Sequence, residues 1–454
     1  MVSPEKFDVV VVGGGVAGLF YSRLVAEKGF SVALVEMKPL KKIGEKVCGD
    51  AINREYFRKL GLKEPSGDEV EGVIKGIRVI APDEKHSLLV KGEGFELNRK
   101  AFGQRLLREA LSRGILLYDC SYAKKPIISD GKVKGVLIHD GRVGVDKVLE
   151  GKIVVDASGI AGALRNKLPS NWWVSEKLDY RDVSIAYREI RVLKNEIEEP
   201  ECLRIYLSPL IAPGGYWWFF PKGKNKVNVG LGIQGGMGYP NPAEQFKKYI
   251  LTRDVFVSSK LLHAGGGIVP TRRPLKTLVY SNFIVIGDAA FTANPVHGGG
   301  IGSSLISAWA AANASIDALS EGIITTEALW KTNKTYIMNY GAKQASLDLL
   351  RMFLQRLNGE ELTLIIKKKM VSEDELLEIS STGDLKVDIA SKVISALKFL
   401  SKPSLLLKLK TLATLMDNVK KHYYEYPEDP RDLAKWELKL KKIYDEFKIK
   451  FGYR

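Results

Sequence analysis

Gly13, Gly15 and Gly18 stand in the spacing G-x-G-x-x-G within "FDVVVVGGGVAGLFYSRLVAEKGFSVALVE", and an acid, Glu36, follows about twenty residues on. The first glycine lets the chain turn tightly, the second lets the backbone approach a pyrophosphate, and the third lets a helix pack close on a strand. Ala17 falls at the start of that helix, where free N–H groups and the dipole favour an anion. Glu36 is placed to accept hydrogen bonds from an adenosine ribose. The apolar run Val9 to Val12 before the glycines and "SVALVE" after the helix complete a βαβ unit, so the pattern reads as a dinucleotide site.

A second stretch, "SNFIVIGDAAFTANPVHGGGIGSSLISAWAAANA", separates flavin from nicotinamide. An apolar strand ends in Gly287-Asp288, and glycines that include Gly298 and Gly300 open a helix at Ile301. Asp288 is placed to bind a ribityl chain, and the helix dipole can face an isoalloxazine, where reduction builds negative charge. A nicotinamide dehydrogenase has no use for this element, so FAD is the expected cofactor.

The third candidate is "GGYWWFFPKG", residues 214 to 223, five adjacent aromatics in a chain that is 9% aromatic. In a strand, Tyr216, Trp218 and Phe220 share one face while Trp217 and Phe219 share the other. Such stripes most often fill a core, but the polar tips of Tyr216 and Trp218 and the strand end at Pro221 also suit the rim of an apolar cavity. Cys48, in "KIGEKVCGDAI", and His297 are candidate proton donors, each with an alternative reading as a packing residue. Three cysteines, Cys48, Cys120 and Cys202, are too few and too scattered for a disulfide framework or a metal cluster, so no metal is expected.

These residues need a frame to hold them. At 454 residues, 45% hydrophobic and 27% charged, the chain has the balance of a soluble protein with two or three domains. The expected fold is α/β: a Rossmann-like FAD-binding domain built discontinuously from 1–75, 98–168 and 268–320. An inserted antiparallel-sheet substrate domain would occupy 76–97 and 169–267, where "VSIAYREI", "CLRIYLSPL" and "KVNVGLGI" alternate as strands. Residues 321–454 read as a helical C-terminal region.

The net charge of +16 calls for an anionic partner, whether an acidic membrane face, a phosphorylated substrate or a nucleic acid. No signature of a nucleic-acid-binding module is present, so nucleic acid is not expected as a partner. No stretch reaches the roughly 18 uninterrupted apolar residues of a membrane span. Residues 391–416 form a basic amphipathic pattern broken at Pro403, which suits either a membrane interface or a helical bundle. The N-terminus enters a strand within a few residues, leaving no room for a cleavable signal, and a cytoplasmic location is expected.

The order G-D-A-A, then P-x-x-G-x-G, at Gly287, Asp288, Ala289, Ala290, Pro295, Gly298 and Gly300 resembles the FAD superfamily that includes the aromatic hydroxylases. The Y-x-W-x-F-P spacing of Tyr216, Trp218, Phe220 and Pro221, together with Val47-Cys48-Gly49-Asp50, resembles the archaeal geranylgeranyl reductases within it. That resemblance implies that Arg99 reaches the FAD phosphates and that Ala123 offers a backbone contact along the adenine edge. It implies that Cys48, Gly49 and Ala51 lie against the flavin, with Cys48 the candidate catalytic residue. Tyr216, Trp218, Phe220, Pro221 and His297 would bind substrate along an oily tunnel.

The implied activity is flavin-dependent saturation of C=C bonds in the geranylgeranyl chains of prenylated glycerophospholipids. The enzyme would be peripheral, on the inner face of the cell membrane, with ferredoxin, another carrier or a transiently bound nicotinamide as reductant. Two other readings stay open. One is an FAD monooxygenase or halogenase, from whose W-x-W-x-I-P strand the chain departs at Tyr216 and Phe220. The other is a flavoprotein acting as an electron adaptor at a membrane or in tRNA modification.

Overall fold

The computed structural model describes residues 4–385 and 403–453. Five apolar strands run parallel in one sheet, in the order Phe283–Val285, Val145–Asp156, Glu5–Val12, Val32–Val35 and Leu116–Tyr118. Val9 to Val12 and Val32 to Val35 are buried on both faces, as a parallel sheet covered by helices requires. A hairpin, Ser121–Ser129 and Lys132–Asp140, extends the first half of Val145–Asp156 beyond the parallel core. On one face the helices Val16–Ala26 and Ile301–Glu321 pack together, where the Tyr21 hydroxyl donates to Ser315 Oγ at 2.7 Å. Ala308, Ala311 and Ala312 keep the second helix slim enough to lie flat inside the core.

The second sheet also has eight strands, in the order Lys260–Pro270, Val183–Val192, Lys226–Gln234, Tyr216–Pro221, Cys202–Tyr206, Val70–Ile80, Ser87–Leu97 and Ala51–Asn53. Its membership differs from the expected boundaries. Residues 51–53 and 70–75, expected in the nucleotide domain, pair here, with Ala51 opposite Glu96 and Val70 opposite Leu97. The sheet is also mixed rather than purely antiparallel, because Cys202–Tyr206 runs parallel to Val70–Ile80. A parallel step needs a long crossover. Here the crossover is the chain from 81 to 201, which includes the strands Ser87–Leu97 and Val183–Val192 of this sheet and several strands of the first.

Beyond residue 330, the helices Ala342–Leu354, Pro403–Tyr424 and Leu433–Phe451 share a separate core. Leu405, Leu409, Leu412, Met416 and Val419 recur at helical spacing and are buried, so the described half of the basic amphipathic stretch is a bundle helix. Its other half, 391–402 with Lys392, Lys398 and Lys402, lies outside the described residues. Fully buried Phe447 alone contributes about 1.5–3 kcal/mol to this packing. Among the described residues no helix is long and apolar enough to cross a membrane.

Candidate active site

Gly13 adopts φ +110, and a Cβ there would meet the Ala157 carbonyl oxygen at 2.4 Å. A Cβ on Gly18 would stand 1.9 Å from the Gly13 oxygen, whereas the space around Gly15 is open. The first and third glycines therefore close the strand–helix junction, and the middle one leaves room for an approaching group. Ala17, in the first turn of the helix, packs towards Gly287. Glu36 Oε2 accepts the Gly14 N–H at 2.7 Å and Oε1 accepts the Lys38 N–H at 2.9 Å. Each oxygen keeps a further lone pair for a ribose hydroxyl. The Ser121 N–H donates to the Glu36 carbonyl at 2.9 Å, which sets Ala123 just beyond the acid.

Asp288 lies in the short turn Gly287–Ala290. Its Oδ2 accepts Lys46 Nζ at 2.9 Å, while Oδ1 is buried with no hydrogen-bond partner. A Cβ on Gly300, directly before Ile301 at the helix N-terminus, would lie 3.0 Å from that free oxygen. A buried acceptor without a donor is costly, so the position calls for a ligand hydroxyl. Lys46 is not among the residues that the sequence singles out. The Asp288 carboxylate raises its pKa above the usual lysine range, against burial and the nearby Arg99 charge. Arg99 opens the helix Arg99–Leu111, and its Nε is likewise buried and unpartnered. Free donors and acceptors around an open glycine cradle fit an FAD.

The loop of Cys48 and Gly49 and the aromatic strand are tied together. Asn228 Nδ2 donates to the Cys48 carbonyl at 2.8 Å, and its Oδ1 accepts the Trp218 Nε1–H at 3.1 Å. A Cβ on Gly49 would be 3.3 Å from the Phe220 ring. Ala51 packs with Trp218 and Phe220, and Pro221 closes the strand opposite Val227. Lys46 and Arg188 both lie within electrostatic reach of Cys48. At the other end of the strand, the Tyr216 hydroxyl donates to the His297 carbonyl at 2.6 Å and so reaches the turn that holds Gly298 (φ +67). His297 keeps an exposed ring, and desolvation by its neighbours together with the Lys343 charge shifts its pKa down to about 4. The Gly299 N–H donates to its Nδ1 at 3.1 Å, which leaves the ring proton of the neutral imidazole on Nε2.

The two faces of the aromatic strand differ. Trp217 stacks on Tyr206 at 3.6 Å between centroids and carries Arg253 at 4.6 Å, while Phe219 meets Phe256, so this face is ordinary core. On the other face Trp218 and Phe220 are each 7% exposed and press towards the cysteine loop, and Tyr216 is the most open of the three. Three participants were not singled out from sequence. Asn228 and Gly230 sit in "KVNVGLGI", where a polar residue and a glycine inside a buried strand are a visible signal. Tyr56, whose ring fills the space where a Cβ on Gly302 would stand at 2.3 Å, carries none.

A nucleotide cradle and a second sheet that meet at one thiol-bearing loop are the organisation of an FAD-dependent oxidoreductase. Among solved structures, the fold is similar to a geranylgeranyl bacteriochlorophyll reductase-like protein from Thermoplasma acidophilum, with TM-score 0.76 and 23% identity over 90% of this chain and 100% of that one. The myxobacterial chondrochloren halogenase CndH follows at TM-score 0.63 and 16% identity, over 84% and 93%. The geranylgeranyl reductase catalytic domain matches residues 182–269. In sequence the chain is 46% identical to digeranylgeranylglycerophospholipid reductase of Sulfolobus acidocaldarius, over 97% of this chain and 98% of the relative. It is 29% identical to that of Methanospirillum hungatei, over 87% and 96%. The chain belongs to the digeranylgeranylglycerophospholipid reductase family.

Proposed function

We propose that this protein saturates the C=C bonds of geranylgeranyl chains carried on archaeal glycerophospholipids, with FAD as its redox group. The observation that carries the reading is the join between Trp218, Asn228 and the Cys48 carbonyl, which fixes an aromatic surface against the loop beside the glycine cradle. Gly13 to Gly18, Glu36 and Arg99 would hold the adenosine and diphosphate, and Asp288 with the Gly300 helix terminus would hold the ribityl and ring end. When bound and reduced, FAD supplies a hydride equivalent to an alkene carbon.

The chain's own residues must do the rest. Trp218 and Tyr216 offer ring faces that stabilise positive charge on the tertiary carbon as a proton arrives, by about 2 kcal/mol when water is excluded. Cys48, near two cationic side chains, is the candidate to hold or orient that proton. His297, neutral with its proton on Nε2, borders the same end of the aromatic strand and helps line the substrate path.

The enzyme works as a peripheral protein at the cytoplasmic face of the membrane. Support comes from the net charge of +16 and from exposed Val255, Val257, Leu261 and Leu262 around Lys260. The same basic surface fits an acidic electron carrier such as ferredoxin. The test is anaerobic incubation of the chemically reduced holoprotein with geranylgeranylated glycerophospholipid, followed by mass spectrometry. Successive gains of two hydrogens per double bond are expected; unchanged lipid with fully loaded, reduced flavin would refute the reading.

A further inference from the structure

Behind the aromatic strand lies a buried ionic cluster that the reading above does not use. Lys222 follows Pro221, and its side chain is 1% exposed. Its Nζ reaches Asp50 at 2.9 Å, Glu71 at 2.7 Å and the Leu97 carbonyl at 2.9 Å, with Glu96 at 3.6 Å, too far for a hydrogen bond. The four side chains come from the aromatic strand's end, the cysteine loop and two neighbouring strands. Lys226 adds a second cation to Glu71 at 2.7 Å, and Arg188 lies within electrostatic reach of Asp50 and Glu71.

Lys222, Lys226 and Arg188 match the three carboxylates in number, but none of them comes within hydrogen-bond distance of Glu96. Three carboxylates surround one fully buried ammonium, and the second, Lys226, touches only Glu71. Glu96 is wholly buried, and neither of its oxygens has a hydrogen-bond partner. Burial, with the Asp50 and Glu71 charges adding to it and Lys222 opposing, raises its pKa well above the carboxylate range. Glu71 is held the other way: Lys222 and Lys226 keep it below that range despite burial. Lys222 stays charged, since the three carboxylates outweigh its burial.

The cluster also has two ends. Glu71 and Lys226 line a surface cleft together with Asp68 and Lys100. At the inner end Asp50, in the strained left-handed region at φ +68, stands two residues from Cys48 and shares the Asn228 amide with the Cys48 carbonyl. Its Oδ2 faces Lys222, while its Oδ1 is buried without a partner.

We propose that Glu71, Lys222, Glu96 and Asp50 form a proton-supply line that delivers the alkene's proton from the surface cleft to the cysteine loop, with Glu96 as the buried store. This rests on the reductase reading. For each double bond, the π bond breaks and two C–H bonds form. The reduced flavin gives the hydride and its two electrons, and the other hydrogen enters as a proton from Asp50. Asp50 starts ionised and receives that proton from Lys222, while protonated Glu96 closes the 3.6 Å gap to Lys222 and replaces the proton given up, so Lys222 keeps its charge and Glu96 is left ionised. Glu96 is then reprotonated from solvent through Glu71 and Lys222, and the cluster returns to its starting state.

The test uses the full-length holoprotein. Infrared spectra of lipid-free wild type at neutral pH should contain the carbonyl band of a protonated, buried carboxylic acid, and Glu96→Gln should lack it. Lipid-dependent reoxidation of the pre-reduced enzyme should slow by about a hundredfold in Glu96→Gln, with an increased solvent deuterium isotope effect and unchanged FAD content. Absence of the band in wild type overturns the proposal, even if the variant does not fold. So does a variant rate within about twofold of wild type with the same isotope effect. A wild type that shows the band but leaves lipid untouched refutes the reductase reading, and the supply line with it as a device for alkene reduction, while Glu96 remains a buried acid.

Discussion

Trp218 and Gly230 are register partners on adjacent antiparallel strands, and a Cβ at position 230 would stand 2.6 Å from the indole Cζ2. The same Cβ would meet the Tyr187 carbonyl oxygen and Arg188 Cβ at 2.5 Å each. The missing side chain is therefore the seat of the indole, and Asn228 fixes the ring's polar edge within it.

Gly230→Ala should push the indole out of that seat. Overpacking of this kind costs about 1–3 kcal/mol, so chemical denaturation should show a loss in that range, with lipid turnover falling too. Wild-type stability together with wild-type turnover would show that the neighbouring strand yields freely.

Trp218→Leu should lower kcat more than it raises KM for the lipid. If the indole stabilises charge in the transition state, the loss is about thirtyfold, the rate equivalent of about 2 kcal/mol. The variant also leaves the Asn228 Oδ1 without its donor, at about 1–3 kcal/mol of stability. Adding Asn228→Leu should lower stability further, because the Cys48 carbonyl and Asp50 then lose their amide donor; equal changes in kcat and KM would limit Trp218 to binding.

Gly15→Val and Gly18→Val should separate cofactor binding from folding. Gly15 has φ −76 and open space around it, so the apoprotein should keep its stability within about 0.5 kcal/mol while FAD absorbance is lost on gel filtration. Gly18→Val meets the Gly13 carbonyl and should fail to fold.

His297 makes stability depend on pH in a defined direction. Its pKa is pushed from 6.5 to about 4 in the folded chain by desolvation and the Lys343 charge, although the ring keeps exposed surface. Between those values the unfolded chain binds a proton that the folded chain does not, so stability falls as pH drops through the window and levels off below about 4. Urea titrations of wild type and His297→Gln should differ by this slope alone, with the variant flatter; parallel curves would show that solvent at the exposed ring cancels the shift.

The nucleotide half of the fold was legible because its signals are local. A strand, a glycine turn, a helix and an acid follow each other within about thirty residues, and each has its own sequence mark. The aromatic strand was legible for the same reason. Residues 51–53 and 70–75 pair in the second sheet because their partners are chosen by tertiary packing, and nothing in "VEGVIKGIRVI" says which sheet receives it. Nothing in the sequence singles out Lys46 or Lys222. Their partners, Asp288 and Glu71, lie 242 and 151 residues away, a separation over which a single sequence carries no pairing signal.

The parallel seam between Cys202–Tyr206 and Val70–Ile80 also sets an order of events during synthesis. Cys202 pairs with Gly76, 126 residues earlier. At the usual pace of translation, the hairpin of Val70–Ile80 and Ser87–Leu97 leaves the ribosome on the order of ten seconds before that partner exists. Through this interval one long edge of the nascent hairpin is open to any other extended chain. The nucleotide sheet, whose last strand is Phe283–Val285, cannot close before the seam does. The two halves of the enzyme therefore mature together, and neither can be expressed as an independent folding unit by cutting the chain once.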